Sequence, residues 1–268
     1  MRLNKLCRFS RLMSLAASVL ITITSWSVAA SSPRIIVILD DVGYRHTDVN
    51  ALSLPAAVTF SILPDTPLAR ELSEKAHAQG RDVMLHLPME ANNGNKLGPR
   101  GIKTGMYHDS IALTLEQALA SVPYAIGVNN HMGSRLTREQ HAMQALMSAI
   151  SGKSLFFVDS RTTARSVAEQ AARDNGVPVA RRHVFIDHNP APEAMQHEFE
   201  RLVRLAKKQG VAIGIAHPHP ATLSFLHAAL ASLEQRGVAL EPISDYFDLP
   251  RLPPRQLAGA PKTSVAPN

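Results

Sequence analysis

Several stretches of this chain end on residues that bind metals or move protons. Asp40-Asp41 follows the aliphatic run Ile35-Ile36-Val37-Ile38-Leu39. His86 follows Asp82-Val83-Met84-Leu85, and His131 follows Ala125-Ile126-Gly127-Val128-Asn129-Asn130. His217-Pro218-His219 follows the run from Val211 to Ala216, and Asp159 follows Leu155-Phe156-Phe157-Val158. Carboxylate oxygen and neutral imidazole nitrogen are the donor set of a catalytic Zn²⁺ or similar divalent ion that keeps one position open for water. Such an ion brings the pKa of its water to about 7. Two adjacent carboxylates repel, so one pKa rises unless a cation relieves the pair. Each residue alone also has a structural reading, as a helix cap or as a histidine bonded to a backbone carbonyl. Recurrence at several strand ends is what points to one shared site.

These residues meet only if the runs that carry them are parallel strands, whose carboxyl ends gather on one face. The chain alternates strand-like and helix-like segments as that requires. A short helical turn over 47–54 precedes a strand over 57–63. Asp65 or Thr66 caps a helix that has Pro67 in its first turn and runs to Gly80. Further helices are expected over 114–122, from the capping box Thr137-x-x-Gln140 to Ile150, over 163–174, over 192–210 and over 222–235. His183 to Asp187 and Val238 to Ile243 read as additional strands. Glu90 to Ser110 is a long polar loop with four glycines, expected to be a lid, a binding loop or a mobile segment. About seven or eight β-α units suggest a (β/α) barrel, with a doubly wound open sheet as the alternative. No Gly-x-Gly-x-x-Gly or phosphate-binding Gly-Lys-Ser/Thr loop follows any strand, which argues against a nucleotide cofactor.

The chain has 268 residues and is 45% hydrophobic, enough for a sizeable core. Residues 1–30 hold Arg2, Lys5, Arg8 and Arg11, then an uncharged apolar run and Val28-Ala29-Ala30. This is the layout of a secretory signal peptide cleaved before Ser31, with an uncleaved membrane anchor as the alternative. It implies a periplasmic protein. Residues 251–268 are rich in Pro and Ala and read as a disordered tail. The net charge of +6 is concentrated at the two ends. Of 28 Lys and Arg, four fall in 1–30 and three in 251–268, so the body carries 21 against 22 acids, a net charge of −1. A nucleic-acid binder shows its excess charge on the folded domain, and this body does not. Cys7 is the one cysteine, so thiol catalysis and cysteine metal sites in the body are excluded.

Ile38-Leu39-Asp40-Asp41-Val42-Gly43, His86-Leu87-Pro88-Met89, Asn129-Asn130-His131-Met132-Gly133-Ser134, Asp159-Ser160 and Gly214-Ile215-Ala216-His217-Pro218 together resemble the divergent polysaccharide deacetylases. These YibQ-type exported proteins are a branch of the NodB-type carbohydrate esterases. The resemblance spans residues 33–247 and implies a distorted seven-stranded (β/α) barrel. It implies that Asp40 is the catalytic base and Asp41 a metal ligand. In NodB-type enzymes the second motif is His-x-x-x-His. Here His86 keeps the first position and Glu90 stands at the second. His131 is the expected third ligand, with Glu90 and His219 as alternatives. His217 resembles the late general-acid histidine. Asp159, Arg161 and Ser134 are expected to bind substrate, and Arg135 and Arg161 are candidates for the family's arginine.

The activity so implied is hydrolysis of an N-acetyl group on an envelope polysaccharide, with a divalent metal, expected to be zinc, as cofactor and a carbohydrate as partner. The alternative is a non-catalytic envelope protein that binds glycan or a protein on the same barrel. His46, His77, His108, His141, His197 and His227 lie in polar or helical settings and read as surface, and His183 and His188 are open. His217-Pro218-His219 also permits a His-x-His pair of an amidohydrolase-like barrel, although there the pair belongs to the first strand.

Overall fold

The structure, a computed structural model, describes residues 32–250. The expected signal peptide and Pro-rich tail lie outside the described residues. Nine strands form one parallel sheet: β1 (Arg34–Val42), β2 (Thr59–Ile62), β3 (Val83–Met89), β4 (Ala125–Met132), β5 (Phe156–Asp159), β6 (Val179–Arg181), β7 (Val184–Phe185), β8 (Val211–Ala216) and β9 (Ala239–Leu240). Their order is β6-β5-β4-β3-β2-β1-β8-β7, with β9 beside β1. The described residues form seven α-helices, α1 (Ala69–Ala78), α2 (His108–Ser121), α3 (Gln140–Ser151), α4 (Ala168–Asp174), α5 (Pro192–Gln209), α6 (Pro220–Ala231) and α7 (Ile243–Tyr246). Among the described residues, no helix is long and apolar enough to cross a membrane.

The two edge strands, β6 and β7, are joined by Arg182 and His183 alone. Arg182 N–H donates to the Asp159 carbonyl on β5, and His183 N–H donates to the Ile213 carbonyl on β8. Consecutive peptides thus bridge opposite edges, and the sheet curls into a barrel. Counted as one broken stave, β6–β7 completes the seven expected of a distorted (β/α) barrel, with β9 as an extra. The open-sheet alternative is thereby set aside.

Successive side chains of a strand point to opposite faces, and the burial pattern divides accordingly. Ile36, Ile38, Met84, Phe156, Val158, Ala180, Ile213 and Ile215 form one cluster inside the barrel. Their alternates, including Ile35, Val37, Leu39, Leu85, Leu87 and Phe157, pack outward against the helices. Burying each such aliphatic side chain contributes about 1.5–3 kcal/mol. Phe247, just after α7, stacks on Phe156 at 4.3 Å and closes the lower end. The interior rows extend upward, and at the carboxyl ends of the strands polar residues replace aliphatic ones.

The long loop after β3 is tied down. Ile102 is fully buried and exchanges backbone hydrogen bonds with Pro88 and Glu90. Asn92 bonds to Ser134 through both backbone and side chain, and Arg100 pairs with Asp65 at 2.6 Å. Of the three expectations, a lid, a binding loop or a mobile segment, these ties set aside the mobile one. Three local expectations also change. The helix expected over 114–122 begins at His108. Thr137 donates to the Gly133 carbonyl and caps nothing, leaving Glu139 as the N-cap of α3. The last strand shrinks to Ala239–Leu240, because that segment meets β1 at Arg34 and Ile35 alone.

Candidate metal centre

Besides the row of β1, three interior rows end on ligand-type residues. On β3, Met84 leads to His86; on β4, Gly127 leads to Asn129 and His131; beyond β8, Ile215 leads to His217. His86 is in register with Asn129 on the neighbouring strand, so their side chains stand together on one face. Asp40 continues the row of Ile36 and Ile38. Asp41 does not belong to that row, and a bulge re-aims it. Between Leu39 and Val42 the register slips against β2, three steps on β1 matching two from Phe60 to Ile62. Asp41 itself takes φ +60°, a left-handed conformation that Asp tolerates better than most residues. Gly43 follows at φ +123° with Thr66 Oγ1 where a β-carbon would stand. Asp48 holds this turn by accepting the N–H groups of Gly43 and Arg45. Both aspartates consequently line one cavity.

The ligand atoms converge. Asp41 Oδ1 lies 2.8 Å from His131 Nδ1 and 3.1 Å from His86 Nε2. His131 Nδ1 lies 3.2 Å from His86 Nε2. In a tetrahedral zinc site, ligand atoms about 2.05 Å from the ion lie about 3.3 Å apart, so the triangle matches such a site.

The lone pairs match it too. Ser61 Oγ donates to Asn129 Oδ1 at 2.6 Å, and Asn129 Nδ2 donates to Asp40 Oδ1 at 2.7 Å. These two bonds orient the amide. Its oxygen then accepts from His86 Nδ1 at 2.7 Å, which leaves the Nε2 lone pair facing Asp41 Oδ1 and His131. Asp41 Oδ1 is buried, and no donor satisfies it in good geometry among the described residues. Acceptors packed this closely need a shared proton or a cation. Burial alone would raise the Asp41 pKa, but the close approach and charge of the His131 and His86 imidazoles hold it well below the usual carboxylate range. Burial opposes the charged form of His86, yet Asp40 and Asp41 raise its pKa.

His217 approaches from the other side, its Nε2 3.9 Å from Asp41 Oδ2. The carboxylate of Asp187 accepts from His217 Nδ1 at 3.0 Å, from His217 N–H at 2.8 Å and from Thr222 Oγ1 at 3.0 Å. Burial acts against its protonated form, but Asp187 outweighs it and the His217 pKa is pushed up to about 9.

The remaining expected residues divide. Glu90 accepts from Thr104 N–H and pairs with Arg135 at 3.5 Å, so its carboxylate is engaged away from the triangle. His219 Nδ1 bonds to Arg45 at 2.9 Å and also stays out of it. The triangle is therefore Asp41, His86 and His131. Ser134 anchors Asn92 and does not line the cavity. Asp159 falls in the outward row with Phe157, where it is fully buried behind the wall. Strand alternation gives the cavity its neighbour Ser160 instead. Arg161 does line the cavity, and His197, expected on the surface, lines it while remaining exposed. His188 also lines it, whereas His183 accepts the Ile213 N–H.

Sequence reasoning missed Asn129, Arg182 and Asp187. Asp187 ends its strand as the other site residues do, and that signal was available. Arg182 had no such signal, because its place depends on the closure of the barrel. It is held in the wall by the carbonyls of Ser160 and Arg161, at 2.6 and 2.9 Å. The cavity has a volume of about 780 Å³.

Residues 37–247 match the family described as divergent polysaccharide deacetylase. The uncharacterized protein YibQ of Escherichia coli (strain K12) is 38% identical over 211 residues, 77% of this chain and 66% of that one. An uncharacterized protein of Haemophilus influenzae is 37% identical over 213 residues, 79% of this chain and 75% of that one. The chain thus spans about two thirds of the length of the first relative. The crystal structure of an uncharacterized protein from Agrobacterium tumefaciens C58 superposes with a TM-score of 0.78 at 22% identity, covering 81% of this chain and 90% of that one, and so shares the fold. With a family match across nearly the whole described body and two relatives above a third identical, this chain belongs to the divergent polysaccharide deacetylase family.

Proposed function

We propose that the protein is a metal-dependent hydrolase that removes N-acetyl groups from a carbohydrate, with Asp41, His86 and His131 holding a divalent ion. The observation that carries this reading is the triangle of one carboxylate oxygen and two imidazole nitrogens, 2.8 to 3.2 Å apart, beside an Asp40 that is not part of it. Zinc fits the donor set best. When bound, the ion supplies Lewis acidity toward the acetamide carbonyl and acidifies a water.

Asp40, buried and held by Asn129, takes the proton of the attacking water. The water oxygen bonds to the acetyl carbon, the C–N bond breaks, and His217 gives its Nε2 proton to the leaving nitrogen. Acetate and a free amine result. Asp187 fixes His217 Nδ1, so that Nε2 is the nitrogen aimed at the reacting groups. The shift of His217 to about 9 keeps it protonated near neutral pH, as an acid must be.

Export to the periplasm, on the composition of residues 1–30, and an envelope glycan as substrate belong to the same proposal. The test is metal content by elemental analysis, with acetate release from chitooligosaccharides, for wild type and Asp40→Asn. We expect about one equivalent of zinc in both and acetate release from wild type alone. Full activity in Asp40→Asn sinks the base assignment. Failure of wild type to take up metal after reloading would leave a glycan-binding protein on an enzyme's barrel.

A further inference from the structure

Arg161, Arg182 and Arg201 come from three different segments and line the same cavity as the metal triangle. Negative charge on that wall is scarce. Apart from Asp40 and Asp41, Glu198 is the one carboxylate lining the cavity. It is already bracketed by Arg201 Nη1 at 2.7 Å and His197 Nδ1 at 3.1 Å. The backbone N–H of Arg161 donates to Asp159 at 2.8 Å, but its guanidinium stays 3.7 Å away from a carboxyl that burial pushes toward its neutral form.

Arg182 is the decisive residue. It makes no ion pair among the described residues. Its Nε and Nη2 donate to the carbonyls of Ser160 and Arg161, and its guanidinium lies 5.1 Å from the Phe185 ring centroid. Carbonyl oxygens and a ring face hold the guanidinium still without neutralising it. A guanidinium fixed in this way offers a planar fork to an oxyanion with little further loss of side-chain freedom. Asp40 and Asp159 favour its charged form only from beyond ion-pair distance, so a neutral sugar in this cavity leaves the fork itself without an anionic partner.

We propose that the natural substrate carries an oxyanion, a carboxylate or a phosphate on the sugar, which docks on Arg161, Arg182 and Arg201. This inference rests on the deacetylase reading only in taking the ligand to be an N-acetylated sugar.

The experiment is binding by titration calorimetry, using two matched pairs of probes. Tetra-N-acetylchitotetraose is compared with the hyaluronan tetrasaccharide, in which glucuronate alternates with N-acetylglucosamine. N-acetylglucosamine is compared with its 6-phosphate. In at least one pair we expect the anionic probe to bind about tenfold tighter at low salt, with most of the advantage gone at about 0.5 M salt. The pair that shows the preference identifies the carboxylate or the phosphate. Arg201→Gln is expected to reduce the preference about fivefold and Arg201→Lys to restore part of it. Arg70→Gln, on an exposed helix face, should leave it unchanged. Equal binding within both pairs, or a preference that survives Arg161→Gln and Arg201→Gln together, overturns the inference. Because the readout is binding, anion preference without acetate release sinks only the proposed reaction. Acetate release from tetra-N-acetylchitotetraose without anion preference sinks only this inference.

Discussion

His86 Nδ1 lies 2.7 Å from Asn129 Oδ1 on the adjacent strand, and that bond decides which nitrogen of His86 faces Asp41. Asn129 is in turn oriented by Ser61 and Asp40, so one buried amide links the proposed base to a proposed metal ligand. Outer partners of this kind typically change metal affinity 10- to 100-fold, roughly, when removed. Asn129→Leu is therefore expected to weaken zinc binding by about that factor, measured by competition with a chromogenic chelator. Unchanged affinity would mean that the His86 tautomer is set elsewhere.

The third ligand is open to a direct comparison. Glu90 bonds to Thr104, and His131 lies 2.8 Å from Asp41. His131→Ala should lose the bound metal and Glu90→Gln should keep it, as read by elemental analysis after dialysis. In the proteins that bind, saturation at about 100 times Kd should stabilise the fold by about 2.7 kcal/mol, seen as a rise in melting temperature that chelator reverses. The opposite pattern would return the ligand to the second position of the His-x-x-x-His motif.

Stability of the metal-free chain should depend on pH through His217. Its pKa is raised to about 9 in the folded state by Asp187, against the cost of burial, from about 6.5 when unfolded. A raised folded pKa means that the stabilisation is complete below about 6.5 and is lost as pH rises through about 9. The shift corresponds to about 3 kcal/mol at most. Urea unfolding at pH values across that window should show the decline in wild type and a flatter profile in Asp187→Asn. Parallel profiles would show that Asp187 does not couple to His217.

Gly127 tests the barrel interior. It lies in the row that continues to Asn129 and His131, and a β-carbon there would overlap the Phe156 ring. Phe156 is buried and stacked on Phe247, so it has little room to yield. Gly127→Ala should cost about 1–3 kcal/mol, read as a lower urea midpoint with unchanged slope. A neutral result would mean that the lower end of the barrel repacks freely.

Much of the site is legible in the sequence. Aliphatic runs that end on Asp or His mark strand ends, and parallel strands bring such ends together. That placed Asp40, Asp41, His86, His131 and His217 in one cavity, because burial of β-branched runs is a local property of composition. Which side of a strand each residue takes is not local in the same way. Alternation turned Asp159 behind the wall and brought Ser160 into the cavity. A one-residue bulge brought Asp41 beside Asp40, although neighbours on a regular strand face apart. The orientation of Asn129, the grip of Asp187 on His217 and the place of Arg182 depend on partners 21 to 89 residues away in the chain. Strand composition determined where the chemistry could stand. Register, bulge and barrel closure decided which atoms meet, because hydrogen bonds between strands fix distances that no single segment contains.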